Sequence, residues 1–152
     1  MVINMYNQSE GLFVNAFGVA FERVMNCKIE KIYERFEKPD FNVHTVVAAL
    51  NFHGDSAGIL LMIIENDLVE KTVDAIYERF GFPKGMLPNN LVFSEVLNIF
   101  AGNLSTYLAG VSEIFIIDSP ETKFDEDDYS EKGYIISIES NNGFLIKYGL
   151  FY

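Results

Sequence analysis

The chain has 152 residues, and its 11 Lys and Arg against 22 Asp and Glu give a formal net charge of −11 at pH 7. With 49% hydrophobic residues it has enough apolar surface to form a folded core, so general disorder is excluded. This length predicts a single domain over residues 1–152. Phosphate backbones repel so acidic a chain, which argues against nucleic-acid binding, whereas an acidic surface favours partners with a basic patch.

The sequence carries no signal for membranes, metals or cofactors. Its longest apolar run, residues 57–64, is far shorter than the roughly 20 residues of a membrane-spanning helix. The first residues do not have the pattern of a secretory signal, so we expect a cytoplasmic protein without membrane insertion. Cys27 is the only cysteine, and with His44 and His53 it does not form a zinc-ligand pattern, so we expect no metal site and no cofactor of its own.

The first half of the chain predicts a helix, an ambiguous segment and a hairpin. Apolar residues at three- and four-residue steps predict an amphipathic helix over residues 9–26. Residues 28–38 fit a helix by their apolar spacing but an extended segment by their position before Pro39, so their type stays open. Aliphatic and β-branched residues predict a hairpin of residues 43–52 and 57–65. Asn66 is a candidate N-cap for a second helix that stops at Gly81.

The second half predicts one more helix and then strands. Asn89 or Asn90 can cap a third helix that ends near Gly110. A strand follows over residues 113–118, and residues 133–139 and 144–150 flank Asn141-Asn142-Gly143, which predicts a type I′ turn. The order lacks the alternation of strands and helices that a parallel sheet requires. We therefore predict an α+β fold, a two-layer sandwich with helices packed on one face of a mostly antiparallel sheet.

The third helix carries polar residues beside its core stripe. That stripe consists of Phe93, Leu97, Phe100, Leu104 and Leu108. Glu95 and Asn98 lie three residues apart on another side of the helix, and Gly102 lies one turn further along. Glycine inside a helix costs about 1 kcal/mol relative to alanine, which suggests that another surface approaches closely. Ordinary solvated residues would give the same spacing, and spacing alone does not exclude that interpretation.

This helix resembles a known motif. It reads Ser94-Glu95-Val96-Leu97-Asn98-Ile99-Phe100-Ala101-Gly102-Asn103-Leu104, which is similar to the E-x-x-N-x-x-x-G helix of the CheX and CheC chemotaxis phosphatases. The opening helix at residues 14–21, the hairpin over residues 46–65 and the strand at residues 116–120 resemble theirs in order. CheC-type proteins carry a second E-x-x-N on the first helix. Here Leu12 stands three residues before Asn15, so one site per chain is expected, as in CheX.

The resemblance implies a specific activity. The substrate would be a CheY-like response-regulator receiver domain, whose phosphoryl group sits on an aspartate and whose Mg²⁺ belongs to the receiver. Asn98 would position the attacking water and Glu95 would pair with the receiver's active-site lysine. Ser94, Gly102 and Asn103 would border the contact. The resemblance also implies a homodimer joined through sheet edges.

Two other functions stay open at this point. One is a non-catalytic response-regulator-binding or flagellar-switch-like module of the same superfamily. The other is an unrelated α+β ligand-binding domain whose polar helix face is accidental, and a buried Glu95 would favour that interpretation.

Overall fold

The described part of the chain contains three α-helices and six strands. The computed structural model describes residues 11–53, 57–81, 83, 85–108, 116–117 and 131–152, and of His53, Ile116 and Ile117 only the backbone. In chain order the elements are α1 (Val14–Met25), β1 (Ile29–Glu37), β2 (His44–His53), β3 (Gly58–Glu65), α2 (Val69–Phe80), α3 (Asn89–Leu108), β4 (Ile116–Ile117), β5 (Gly133–Ser140) and β6 (Leu145–Phe151). A short 3₁₀ turn, Asn66–Leu68, precedes α2.

The strands form one antiparallel sheet in the order β1-β5-β6-β3-β2-β4. Read from the other edge, the order is β4-β2-β3-β6-β5-β1. Each of β1, β2 and β3 thus occupies the position that β4, β5 or β6, respectively, occupies when the sheet is read from the first edge. The helices that precede the two sets of strands, α1 and α3, pack against each other. Within the described residues, the strand order is therefore symmetric between the set that follows α1 and the set that follows α3.

The helices cover one face of the sheet and enclose the main core there. Inward-facing residues of β3 join the buried residues of all three helices in one cluster. At its centre the ring of Phe100 on α3 stacks on that of Tyr148 on β6, with 4.1 Å between centroids. Phe17 of α1 lies 5.6 Å from Phe100 and 5.8 Å from Tyr148. These rings connect α1 and α3 to the sheet. The predicted α+β sandwich is confirmed.

The opposite face of the sheet carries a smaller apolar cluster of Ala49, Ile59, Leu61 and Ile63. Three strands lie between β1 and β2, so the connection between them, residues 38–43, must cross the sheet. It crosses this face, because residues 37–40 line a cavity together with Ile63, Ile135 and Lys147. Both faces of β3 are thus covered, which explains its unbroken run of buried residues.

Most element predictions are confirmed, with shifted boundaries. The predicted hairpin of residues 43–52 and 57–65 is the antiparallel pair of β2 and β3, and residues 54–56 lie outside the described part. The open segment, residues 28–38, forms the edge strand β1. The first helix begins at Val14 instead of residue 9, and residues 9 and 10 are outside the described part. The strand predicted over residues 113–118 is described only at Ile116–Ile117.

The prediction that Asn66 caps the second helix is wrong. The residue before α2 is Leu68, because a 3₁₀ turn separates Asn66 from the helix. The Asn66 side chain instead donates to the carbonyl oxygen of Asn42 at 3.1 Å and accepts from the hydroxyl of Thr45. The amide therefore connects the entry of α2 to the start of β2. The predicted stop at Gly81 is confirmed by its left-handed φ of 70°.

The predicted cap of the third helix is also wrong. Asn89 and Asn90 are the first two residues of α3 and do not precede it. The Asn89 amide donates to the Glu70 carboxylate of α2 at 3.0 Å, so it connects two helices instead of capping its own. The helix is described as far as Leu108, and residues 109 and 110 lie outside the described part.

The turn between β5 and β6 is not of type I′. That turn requires positive φ at two successive residues, and here only Gly143 has it, at 90°. The N–H of Gly143 donates to the carbonyl oxygen of Ser140 at 3.3 Å, and the N–H of Phe144 donates to the Ser140 hydroxyl at 3.0 Å. The loop is therefore longer than two residues, and glycine supplies its one left-handed position.

Tyr148→Phe tests the packing at the centre of the core. The Tyr148 hydroxyl is buried without a hydrogen-bond partner among the described residues, and burial raises its pKa further above the physiological range. Leaving a buried hydroxyl unpaired costs about 1–3 kcal/mol. We expect the free energy of unfolding in urea to stay the same or to rise by about 1 kcal/mol.

Phe100→Ala is the control for this experiment, because it removes the stacked ring and should lower the free energy of unfolding by about 3 kcal/mol. A loss of more than about 1 kcal/mol in Tyr148→Phe would contradict the prediction, because a paired hydroxyl contributes about that much.

Candidate functional site

The helix α3 separates buried from exposed side chains along its whole length. The predicted core stripe is confirmed, and it is widened by Val92, Val96 and Ala101. Glu95, Asn98 and Gly102 are exposed. Because successive helical residues are rotated by about 100°, these three fall within an arc of about 60°. We call them the polar stripe.

Glu95 and Asn98 are available to a partner. They lie about 4.5 Å apart along the helix axis, from a rise of about 1.5 Å per residue. Neither side chain has a hydrogen-bond or ion-pair partner among the described residues. The exposure of Glu95 disfavours the interpretation as an unrelated ligand-binding domain, which a buried Glu95 would have supported.

The two other predicted site residues lie at the borders of the polar stripe. Ser94 and Asn103 are both half-buried, and the helical rotation puts them on opposite flanks. The Asn103 amide donates to the carbonyl oxygen of Ile99 at 3.0 Å, which holds this side chain against its own helix. The structure thus brings Glu95, Asn98 and Gly102 together and leaves the other two beside them.

Packing within the described part of the chain does not explain Gly102. A Cβ atom at this position would meet no atom within 4 Å, and Gly102 is not among the glycines with positive φ. The Ser105 hydroxyl donates to its carbonyl oxygen at 2.9 Å, so the local backbone is satisfied. What distinguishes the position is the bare backbone that it leaves beside Asn98 on an exposed surface.

Contacts with α1 and α2 hold α3 at both ends. Near its start, in addition to the bond from Asn89 to Glu70, the Tyr77 hydroxyl donates to the carbonyl oxygen of Leu87 at 2.9 Å. Near its end, Arg23 of α1 donates to the Tyr107 hydroxyl at 2.6 Å. Residues that position a reacting group need such rigid support, because small displacements reduce their effect.

Two apolar members of this surface were missed in the sequence. Leu91 and Ile99 are 43% and 41% exposed, and each lies one turn from Glu95. Their spacing of four residues on either side of Glu95 was a signal that could have identified them. Residues four apart share a face of a helix, and this face is not the core stripe.

The corresponding region of α1 has a different local structure. Asn15 is exposed, as Asn98 is, but Leu12 precedes the helix and stands where the motif has an acid. The backbone N–H groups of Leu12 and Phe13 donate to the Glu34 carboxylate at 3.1 and 2.9 Å. Among the described helices, an exposed acid one helical turn before an exposed Asn is therefore present on α3 and not on α1.

The helix α3 carries a single charge, and the described residues contain no metal-binding cluster. Glu95 is the only charged residue in the 20 residues of α3. No group of three or more His, Cys, Asp or Glu side chains within the described residues could hold a metal ion. No helix in the described part combines the length and apolar content that crossing a bilayer requires.

Comparisons with known proteins identify the fold. No protein-family model matches the sequence, and none of the curated proteins is significantly similar to it. A CheC-like superfamily protein from Shewanella sp. PV-4 aligns with a TM-score of 0.56 and 13% identity, over 91% of this chain and 93% of that one. A chain of the CheX–CheY–BeF3–Mg²⁺ complex from Borrelia burgdorferi aligns with a TM-score of 0.57 and 12% identity, over 91% and 94%.

The middle domain of FliM from Vibrio alginolyticus also aligns, with a TM-score of 0.51 and 14% identity, over 99% of this chain and 92% of that one. At these identities the similarity concerns the fold. The chain has the CheX/CheC-like α+β fold, in agreement with the resemblance found in the sequence.

Gly102→Ala tests whether the glycine is dispensable for folding. Because a Cβ here meets no other atom and alanine favours a helix, we expect the free energy of unfolding in urea to rise by up to about 1 kcal/mol. Gly143→Ala is the matched control, since a Cβ there is equally unobstructed but φ is 90°. That variant should lose about 1 kcal/mol. Destabilisation of Gly102→Ala would show that the fold itself requires the glycine.

Proposed function

We propose that this chain, which has the CheX/CheC-like fold, is a phosphatase that hydrolyses the aspartyl phosphate of a CheY-like receiver domain. The observation that carries the proposal is the polar stripe, an exposed acid and an exposed amide one turn apart beside a bare glycine. These residues match the E-x-x-N-x-x-x-G motif. A CheX with this fold has been crystallised with CheY, BeF3 and Mg²⁺, which supports the class of partner.

The chemistry requires positioning more than a nucleophile on this chain. A water attacks phosphorus in line, the bond from phosphorus to the aspartate oxygen breaks, and the products are inorganic phosphate and the free carboxylate. The Mg²⁺ and the active-site lysine belong to the receiver. This chain then needs to supply an orienting group, and a fixed amide can accept from the water and donate to the phosphoryl oxygens. Asn98 has that role in our proposal.

Glu95 and Gly102 have supporting roles. The exposed Glu95 carboxylate pairs with the receiver's lysine through a charge-assisted hydrogen bond, which orients the two proteins. Gly102 lets the receiver approach the helix backbone closely, and Ser94 and Asn103 border that contact. The net charge of −11 favours encounter with a basic patch.

A second candidate function is a receiver-binding module without catalysis. The FliM middle domain has this fold as well as the CheX and CheC-like proteins, so the fold by itself does not select catalysis. Both functions use the same exposed stripe of α3. They differ in one observable, the lifetime of the receiver's phosphoryl group, so binding alone does not separate them.

The proposal includes an assembly and a location. The homodimer expected through sheet edges would have β1 available, which is nine residues long and lies at the edge opposite β4. A CheY-like partner implies a cytoplasmic protein.

Asn98→Ala tests the catalytic role. Loss of one hydrogen bond made in the transition state costs about 3 kcal/mol, so we expect kcat for receiver dephosphorylation to fall about a hundredfold or more. Binding of the BeF3-activated receiver should change little. The measurement is release of inorganic phosphate from a phosphorylated CheY-like receiver in Mg²⁺. Glu95→Ala should instead weaken binding, seen as a higher KM.

Asn15→Ala is the matched control, because it removes an amide of α1 that is also exposed. Asn15→Ala should keep the kcat of the unchanged protein and its affinity for the BeF3-activated receiver. If Asn98→Ala dephosphorylates the receiver at the original rate, the proposed role of this residue is wrong. If the unchanged protein binds the receiver but does not shorten the lifetime of its phosphoryl group, the non-catalytic module is correct.

A further inference from the structure

Two exposed aliphatic side chains lie one helical turn before and one turn after Glu95 on α3. We infer that Leu91 and Ile99 form an apolar rim that binds the phosphorylated face of the receiver and sets affinity without taking part in the chemistry. This inference rests on the proposed function and extends it, because it names the residues that determine binding strength. Leu91 lies outside the E-x-x-N-x-x-x-G pattern, and Ile99 occupies one of its unspecified positions.

The exposure of these residues is concentrated near the site. The large hydrophobic side chains exposed in the described part of the chain are Leu12, Phe36, Val43, Met86, Leu91, Ile99 and Tyr152. Single exposed hydrophobic residues are normal on any protein. Three of these, Met86, Leu91 and Ile99, lie on α3 or just before it. Leu91 and Ile99 share the helix face of Glu95. A concentration of this kind is typical of a surface that a partner covers.

Along the helix axis, Leu91 lies before Glu95 and Asn98, and Ile99 lies after them. Relative to Glu95, helical rotation puts Ile99 at about +40° and Leu91 and Asn98 at about −40° and −60°. Leu91 and Ile99 are about 12 Å apart along the axis, with Glu95 midway. A partner that contacts both aliphatic side chains therefore covers Glu95 from two directions.

A partner that covers Glu95 and Asn98 excludes water from their contacts. Charged hydrogen bonds are stronger when water is excluded, and residues around an interface's central contacts contribute largely by that exclusion. Because α3 has no Lys, Arg or His, this helix has no cation of its own to offer to the phosphoryl group. The complementary surface must thus present one cation to Glu95 and apolar groups within about 6 Å on either side of it. A receiver whose active-site lysine lies beside its phosphoryl group supplies that cation, and the apolar groups on either side are what the rim adds to the proposed contact.

The test is the double variant Leu91→Ala, Ile99→Ala. Alanine is the best helix former, so α3 should fold. Kd for the BeF3-activated receiver and KM for the phosphorylated receiver should both rise about tenfold, because apolar contact area is lost at the interface. The kcat should change less than twofold. Val43→Ala is the matched control, because Val43 is 49% exposed and lies on the connection between β1 and β2.

Each outcome separates the inference from the proposed function. Suppose that the unchanged protein shortens the lifetime of the phosphoryl group and the double variant keeps the original KM and Kd. The binding role of Leu91 and Ile99 is then wrong, and the proposed phosphatase function is retained. If the unchanged protein binds without hydrolysis and the double variant binds tenfold more weakly, the rim stands and the phosphatase is wrong. If the double variant loses kcat with KM unchanged, or if the unchanged protein does not bind, the inference is overturned.

Discussion

The stacking of Phe100 on Tyr148, with Phe17 against both rings, sets the orientation of α3 about its own axis. These three aromatic side chains belong to α3, the sheet and α1, and all are buried. Because successive helical residues are about 100° apart, a shift of one residue in the packing of α3 would turn Asn98 toward the core. The exposure of the polar stripe on one side of the helix is therefore a consequence of the packing on the other.

This arrangement suits a protein that acts on another protein. Glu95 and Asn98 are exposed on the outer side of α3. A folded partner can bring its own reacting group to such a surface and exclude water as it docks. Under the proposed function the two proteins divide the chemistry, with the metal, the lysine and the phosphoryl group on the receiver and the orienting amide on this chain. The hydrogen bonds at both ends of α3 then matter because they limit motion of that amide.

How far the sequence predicted the structure depended on how regular each local pattern was. The faces of α3 were predictable because its apolar residues follow the helical period without interruption. The edge strand β1 was not, because it is half exposed, carries many charges and has a register irregularity between Ile29 and Lys31. Asn66 was mistaken for a cap because its real partners, Asn42 and Thr45, are brought near by a connection that crosses the sheet. Helix propensity singles out Gly102 in the sequence, but only the packing of the folded chain shows that nothing within the described residues requires a glycine there.

In our proposal, an activated receiver docks on the polar stripe of α3. The most direct measurement is the NMR signal of the Asn98 side-chain amide in ¹⁵N-labelled protein, recorded while BeF3-activated CheY-like receiver is added in Mg²⁺. We expect this signal to shift or broaden with the activated receiver and to change little with the inactive one, while the Asn15 amide of α1 stays unchanged. An unchanged Asn98 signal in a complex that perturbs other residues would contradict the account.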